Sequence, residues 1–324
     1  MACLVNSSAF AFSGISPLHS RSDSVSRRSN FPYRTPTTVS IKNMPSKQDA
    51  LRFPPLCQHG GTTRQGRRKT LSPIKSMQDH EALPEGLKPE LMPKHVAIIL
   101  DGNRRWAKEK GLSMELGHLS GGRVIKNIAF LCNKWGVKVL SIFAFSTENW
   151  TRPKEEVDFL MGLFEEVGQT YMDEVTRYNV KISAIGDKSK LPEPLQELVA
   201  TAEETTRGNT GLHLLVALNY SGRYDIMQAT KSIAGKVKDG IFQVEDINEI
   251  LFEKELKTGC AKFPNPDLLI RTSGEQRISN FYLWQLAYTE IFFSKKKFPD
   301  FNEEDFIEAL SSFQKRERRY GGNK

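Results

Sequence analysis

His95-Val96-Ala97-Ile98-Ile99-Leu100 runs directly into Asp101-Gly102-Asn103-Arg104-Arg105-Trp106 and then Ala107-Lys108-Glu109-Lys110. The first run is too short for a helix, and its unbroken apolar character after His95 reads as a strand buried on both faces. Asp-Gly-Asn is turn chemistry, and the residues beyond it favour a helix. The same strand, turn and helix order recurs down the chain. Apolar runs at 137–145, 180–185, 212–218 and 268–270, with 291–293 as a sixth, alternate with helical stretches at 122–134, 154–177, 194–206, 223–237 and 303–319. Such alternation predicts an α/β fold: a single domain with a central, mostly parallel six-stranded sheet flanked by helices, without internal repeats.

Working outward, the 324 residues divide unevenly in charge. Residues 1–78 hold 12 Lys/Arg against only Asp23 and Asp49, leaving 34 basic and 36 acidic of the chain's 46 and 38. The basic excess therefore belongs to one end, and the body at 79–324 is slightly acidic, which disfavours nucleic acid as a partner. The first 78 residues carry 19 Ser/Thr, no Glu and no hydrophobic period. They read as an organelle transit peptide directed to the chloroplast (plastid stroma), the alternative being a disordered regulatory tail. No apolar run approaches the ~18 residues a bilayer span needs, so no transmembrane segment is expected and at most a peripheral membrane contact. Cys3, Cys57, Cys132 and Cys260 form no Cys-x-x-Cys pair, and the six histidines are dispersed, so neither a disulfide framework nor a zinc site is supported.

Ligands of open parallel sheets bind beyond the carboxyl ends of the strands. Those ends here read Asp101 to Trp106, Ser146-Thr147-Glu148-Asn149-Trp150-Thr151-Arg152-Pro153, and Arg271-Thr272-Ser273-Gly274-Glu275-Gln276-Arg277-Ile278-Ser279-Asn280. Arginines supply forked donors, Gly102 permits close backbone approach, and the following helix start offers free N–H groups; a phosphate or diphosphate suits that rim. Asp101 among such cations calls for a hard cation bridging phosphate oxygens, and Mg²⁺ is the fitting one. Each residue also has a plainer reading. Asp-Gly-Asn can simply shape a loop, Ser146 can be only a helix cap, Arg271 and Arg277 can solvate the rim, His118 can be structural, and Trp106, Trp150 and Trp284 can serve packing. Convergence at several strand ends, rather than any one residue, favours a site.

The stretch 95–106, the block Phe143-Ala144-Phe145 through Pro153, and 267–290 strongly resemble the cis-prenyltransferases of the undecaprenyl diphosphate synthase family, including its plant plastid members. The similarity continues through Asn219-Tyr220-Ser221-Gly222-Arg223-Tyr224-Asp225 to Arg319-Tyr320-Gly321-Gly322, covering 91–322. The resemblance implies repeated head-to-tail addition of isopentenyl diphosphate to an allylic diphosphate, each new double bond being cis. It implies that Asp101 binds Mg²⁺, with Glu290 the second metal-associated carboxylate. Gly102, Asn103, Arg104 and Arg105, with Trp106, His118 and Arg152, would serve the allylic diphosphate; Arg271, Arg277, Ile278 and Ser279 would serve isopentenyl diphosphate. Ser146, Thr147, Glu148, Asn149 and Trp150 match the segment that positions the homoallylic group. Asn149 matches the proposed proton acceptor, although an amide is a feeble base and a diphosphate oxygen can take the proton instead.

Three positions depart from many bacterial relatives. Arg104 replaces a glycine, Met114 an arginine on the allylic diphosphate, and Gln276 a histidine; they imply altered substrate handling rather than lost catalysis. Leu160, Phe164, Val167 and Tyr171 keep helical spacing and read either as a wall around the growing chain or as ordinary core. The chain's own Arg319-Tyr320-Gly321 implies a self-sufficient homodimer, and the spacing between Pro153 and Val180 a short-to-medium-chain product. The alternatives are a subunit of a heteromeric enzyme making longer polyprenols, and a nucleotide-binding α/β protein, which lacks its phosphate-loop signature here.

Overall fold

Each of the six apolar runs forms a strand in the computed structural model, which describes residues 83–319. The tail read as a transit peptide, and Tyr320-Gly321 of the C-terminal motif, lie outside the described residues. The strands are β1 (His95–Ile99), β2 (Val139–Ser146), β3 (Lys181–Ile185), β4 (His213–Tyr220), β5 (Leu268–Arg271) and β6 (Glu290–Phe293). They lie in the order β3-β4-β2-β1-β5-β6, and every pairing is parallel. The sheet is thus fully parallel where mostly parallel is expected.

Among the described residues six α-helices lie between strands, α1 (Asn103–Glu109), α2 (Met114–Lys134), α3 (Lys154–Arg177), α4 (Glu193–Thr205), α5 (Gly222–Lys238) and α6 (Glu249–Glu255), and α7 (Glu303–Gln314) follows β6. Three differ from expectation. α2 begins eight residues earlier than its periodicity implies, because Gly117, Gly121 and Gly122 mask its first two turns. Two of those glycines are steric necessities, since a Cβ at Gly117 or Gly121 would lie 2.4 Å from the Asn103 carbonyl or 2.5 Å from Asn103 Oδ1. α6 is too short to show a period and is fixed by its cap, Asn248, which accepts the Leu251 N–H. α7 stops at Gln314 instead of 319, and the chain beyond it spends its cations on the sheet: Arg316 pairs with Glu290 and Arg318 with Asp267.

All five residues of β1 are buried, as a central strand covered on both faces requires. Apolar side chains of β1, β2 and β5 pack on one face against α2 and α7, where Trp135 stacks on Phe306. On the other face, Phe143, Phe281, Tyr220 and Tyr282 form a continuous aromatic cluster. Polar groups in this part of the interior meet one another: His95 Nε2 and the Tyr282 hydroxyl both lie within hydrogen-bond distance of Ser141 Oγ. Among the described residues Cys132 and Cys260 are free thiols, and no helix is long and apolar enough to cross a membrane.

β1 has β2 on one side and β5 on the other, so the chain leaves the sheet centre in opposite directions. A crevice opens at such a switch point. The register pairs Ile99 of β1 with Arg271 of β5, which brings the ends of two strands 170 residues apart in sequence into one place.

Candidate active site

Asp101 lies just past the end of β1 and is clamped through its backbone. Its N–H donates to Thr272 Oγ1 (3.0 Å), the Thr272 hydroxyl donates back to the Asp101 carbonyl (2.7 Å), and the Phe298 N–H donates to the same carbonyl. The next residue, Gly102, has φ +111°, and a Cβ there would meet Lys297 Cβ and Ser273 Oγ at 2.9 Å. Only glycine fits both that conformation and that gap. The Asp101 carboxylate accepts from Arg271 Nη2 on one oxygen (2.8 Å) and from Arg105 Nη2 on the other (3.1 Å).

Arg271 is 3% exposed, and its guanidinium also donates to Ser279 Oγ (2.7 Å) and to the Arg277 carbonyl. Its Nε–H is buried without a partner. The segment bearing these acceptors is wound tightly, with Ser273, Ser279, Asn280 and Tyr282 all at positive φ. Four non-glycine residues in that region store strain, a pattern that clusters at ligand-binding loops. Glu275 draws Arg105 and Arg277 together by accepting from both, and Arg277 leads the causes that hold its carboxyl below the usual range. Ile278 packs into the aromatic cluster, so its side chain anchors the loop.

At the end of β2 the register with β4 shifts twice, at Phe143/Phe145 and Phe145/Ser146, and this irregularity re-aims the strand end. A short 3₁₀ helix (Thr147–Thr151) follows, boxed by Ser146 Oγ accepting from the Glu148 N–H and Asn149 Oδ1 accepting from the Ser146 N–H. Ser146 is therefore a cap, as its plainer reading has it, and it also lines the cavity described below. Burial opposes the charged form of Glu148, but hydrogen bonds from Asn280 (2.7 Å) and the Ser146 hydroxyl hold its carboxyl below the usual range. Thr147 adds to the same set. Trp150 Nε1 donates to Asn219 Oδ1 (2.8 Å), and Asn219 donates in turn to the Asp187 carbonyl, which ties the rim to β4.

Arg152, Arg104 and His118 gather at a third corner. Arg152 Nη1 donates to Glu156 (3.1 Å), Arg104 pairs with the same carboxylate (3.1 Å), and His118 Nε2 is 4.0 Å from it. Burial, then the charges of Arg152 and Arg104, push His118 down to about 4, so its imidazole is neutral at pH 7.

These corners open into one cavity of about 1530 Å³. Asp101, Asn103, His118, Ser146, Asn149, Arg152, Arg271 and Ser279 line its polar part, and α2, α3 and the sheet enclose an apolar part that includes Leu160, Phe164, Val167 and Tyr171. All four face that space, although Leu160 also belongs to a packed cluster. Gly102, Arg104, Arg105, Thr147, Glu148, Trp150 and Arg277 adjoin lining residues in sequence or through hydrogen bonds and ion pairs but do not line the cavity themselves.

Two residues stand apart. Trp106 does not itself line the cavity; its Nε1 donates to Asp300 (2.7 Å), which does, and Lys110 lies over its ring. Glu290 opens β6 and pairs with Arg316 at 3.0 Å; because β6 runs parallel to β1, it sits at the far end of the sheet from Asp101 within one chain. Sequence reasoning passed over Thr272, Glu275, Asn280 and Glu156. Thr272, Glu275 and Asn280 lie in the strand-end stretch 271–280 without a role being read for them, and Glu156 is marked only as an acid four residues after Arg152 on the apolar side of α3.

Among the described residues no cluster of three or more His, Cys, Asp or Glu could hold a metal ion by itself. The arrangement offers carboxylates amid guanidinium groups, with Asp101 the one that lines the cavity, beside an apolar trough.

The profile of the family described as "putative undecaprenyl diphosphate synthase" matches residues 99–321. Cis-prenyltransferase 7, chloroplastic, of Solanum lycopersicum is 61% identical over 244 residues, 75% of this chain and 83% of that protein. The chloroplastic (2Z,6Z)-farnesyl diphosphate synthase CPT6 of the same plant is 59% identical, over 72% and 81%. Among solved structures, lavandulyl diphosphate synthase from Lavandula x intermedia, in complex with dimethylallyl diphosphate, superposes with a TM-score of 0.70 at 47% identity, covering 72% of this chain and all of that one.

Proposed function

This chain belongs to the undecaprenyl diphosphate synthase family of cis-prenyltransferases, and on that premise we propose that it adds isopentenyl diphosphate to an allylic diphosphate to make a short-to-medium-chain cis-polyprenyl diphosphate. The observation that carries this reading is the single cavity: anion-binding groups at its mouth continue into an apolar trough between α2 and α3. Diphosphates suit the first part, and a hydrocarbon that gains by leaving water suits the second.

In this proposal the Gly102 to Arg105 backbone with Arg104, Arg152 and His118 holds the allylic diphosphate. Arg271, Arg277 and Ser279 hold isopentenyl diphosphate, and the orphaned Nε–H of buried Arg271 is a donor in want of an acceptor. Asn149 and Trp150 border the space where the two carbon skeletons meet. Asn149 Oδ1 already accepts from the Ser146 N–H, and an amide is feebly basic, so a diphosphate oxygen is the better acceptor for the departing proton. Trp106 acts from outside, by bracing α1.

Asp101 fits Mg²⁺, since each carboxylate oxygen has a second lone pair beyond the one given to arginine, and this ion is commonly held by one or two carboxylates plus phosphates and water. When bound, the ion supplies charge stabilisation to departing diphosphate. Glu290 can join that site only from another subunit. We infer a homodimer on this ground and from Arg319-Tyr320-Gly321; light scattering of the purified protein checks it, and a monomer that is fully active would refute it.

The wall of the trough runs along α3 from Leu160 to Arg177, about 26 Å at ~1.5 Å per residue. An isoprene unit adds four chain carbons joined by bonds of ~1.5 Å, at most ~5 Å of extended length. Roughly five units fit, in keeping with a short or medium product. Incubating the protein with labelled isopentenyl diphosphate and a panel of allylic primers, then separating the products by chain length, tests the whole reading; no incorporation with any primer, or activity appearing only after a second polypeptide is added, would overturn it. Relatives named as chloroplastic support plastid location. We place the protein in the stroma, with 1–78 as the transit peptide and 79–324 as the catalytic domain. Failure of the tail to carry a fluorescent fusion into plastids would count against that.

A further inference from the structure

The three groups assigned to the allylic diphosphate come from three separate elements: Arg104 from α1, His118 from α2 and Arg152 from the segment before α3. Nothing in the backbone joins them. What they share is Glu156, in the first turn of α3, whose side chain is 2% exposed. One of its oxygens accepts from Arg152 Nη1 at 3.1 Å and lies 4.0 Å from His118 Nε2; the other lies 3.1 Å from Arg104 Nη1. That second oxygen has no aligned hydrogen-bond donor, and His118 Nε2 is likewise buried without a partner.

A carboxylate so deeply buried is costly unless charges compensate it. Here two guanidinium groups do so, and each keeps most of its N–H donors free: the Arg104 side chain is 58% exposed and that of Arg152 is 32% exposed. Two arginines, one carboxylate and a neutral imidazole leave a net single positive charge, with unsatisfied donors still available. A free arginine side chain would lose much of its rotamer freedom on meeting a ligand. One anchored from behind has already lost it.

We propose that Glu156 is a positioning residue of the allylic subsite: it touches no substrate, but it fixes Arg104 and Arg152 on a common point beside His118 so that their remaining donors meet one diphosphate. This rests on the assignment of that subsite in the proposed function, and it adds a residue and a division of labour. A carboxylate serving only to neutralise charge and hold the fold would affect both substrates alike.

The test is Glu156→Gln, which keeps the shape but offers an oxygen to one arginine and an amide N–H to the other. Expected is a rise of about tenfold or more in KM for the allylic diphosphate, the scale of one lost hydrogen bond to a charged group. The KM for isopentenyl diphosphate and kcat at saturation should stay within about twofold. In an Arg152→Ala background the same substitution should add less than it does alone, because the part of its effect that passes through that arginine is already lost while the part through Arg104 remains. Equal changes in both KM values, full additivity, or an unaltered allylic KM would overturn the proposal. Should the Gln variant not fold, Glu156→Asp keeps the charge but shortens the reach, and the same split is expected. Turnover by the parent enzyme is the control for the functional reading; if it is absent, calorimetry with inorganic diphosphate still asks whether Glu156→Gln weakens anion binding, and unchanged affinity there also overturns the role.

Discussion

Replacing Asp101 by Asn separates the charge of this side chain from its shape. The carboxylate accepts from Arg271 on one oxygen and Arg105 on the other; the amide must present an N–H to one of them. Arg105 is about half exposed, so that pair contributes ~0–1 kcal/mol to stability. Arg271 is buried, and a hydrogen bond between charged groups there is worth ~1.5–3 kcal/mol. The total is softened because Arg271 keeps Ser279 and the Arg277 carbonyl, and because the Asp101 backbone remains clamped by Thr272 and Phe298. A loss of about 2–3 kcal/mol follows, which lowers Tm by roughly 5–10 °C in a domain of this size and leaves it folded. Catalysis should suffer more. Losing the cation-binding charge and the alignment of Arg271 is expected to reduce kcat/KM by about 10³-fold or more, equivalent to ~4 kcal/mol of transition-state stabilisation. Incorporation of labelled isopentenyl diphosphate across a magnesium series, beside thermal melts, measures both. A variant that melts like the parent and retains kcat/KM within tenfold would refute the reasoning, and undiminished turnover by Asp101→Ala would remove Asp101 from the mechanism altogether.

Three further outcomes are expected. Gly102→Ala should destabilise the protein by about 1–3 kcal/mol and abolish most activity, because φ +111° and the 2.9 Å approaches of Lys297 and Ser273 leave no room for a Cβ; denaturant melts check this. Phe164→Ala, which widens the apolar trough beside Val167, should shift the products to longer chains without raising the KM of either diphosphate, and an unchanged product distribution by chromatography would assign Phe164 to packing alone. His95 and His118 are pushed by burial down to about 3 and about 4, and Arg152 and Arg104 add to the shift of His118. The unfolded chain, with histidines near ~6.5, then binds more protons than the folded one as the solution is acidified. Their contribution to stability is full above pH ~6.5 and falls as pH drops toward 4 and then 3, at ~1.4 kcal/mol per unit for each group. Melting temperatures that hold constant from pH 7 to 5 would contradict this.

The strands and most helices were legible because they are written locally. An apolar run bounded by turn residues specifies a buried strand wherever it lies, and α3 begins and ends at the residues its period predicts. The rim residues were legible for a related reason: in a parallel sheet the residues after each strand face the same side, so the order of elements already gathers them. α2 was read short because its glycines, which its own period does not explain, answer to Asn103 of another helix.

Sequence alone determined the alternation, the charge asymmetry between tail and body, and the motifs that mark the family. The tertiary structure alone decided which groups meet. Arg271 reaches Asp101 across 170 residues because strand register pairs it with Ile99, while Glu290 on the adjoining strand lies at the opposite end of the sheet. It also decided that Leu160, Phe164, Val167 and Tyr171 border open space instead of only filling a core, and that Glu156 is buried at the meeting point of Arg104 and Arg152. The physical reason is common to both. Burial of apolar surface is non-directional, so a helical hydrophobic stripe looks the same against a cavity as against a core, and a carboxylate reveals its partners only when the chain has brought distant charges within ~4 Å of it.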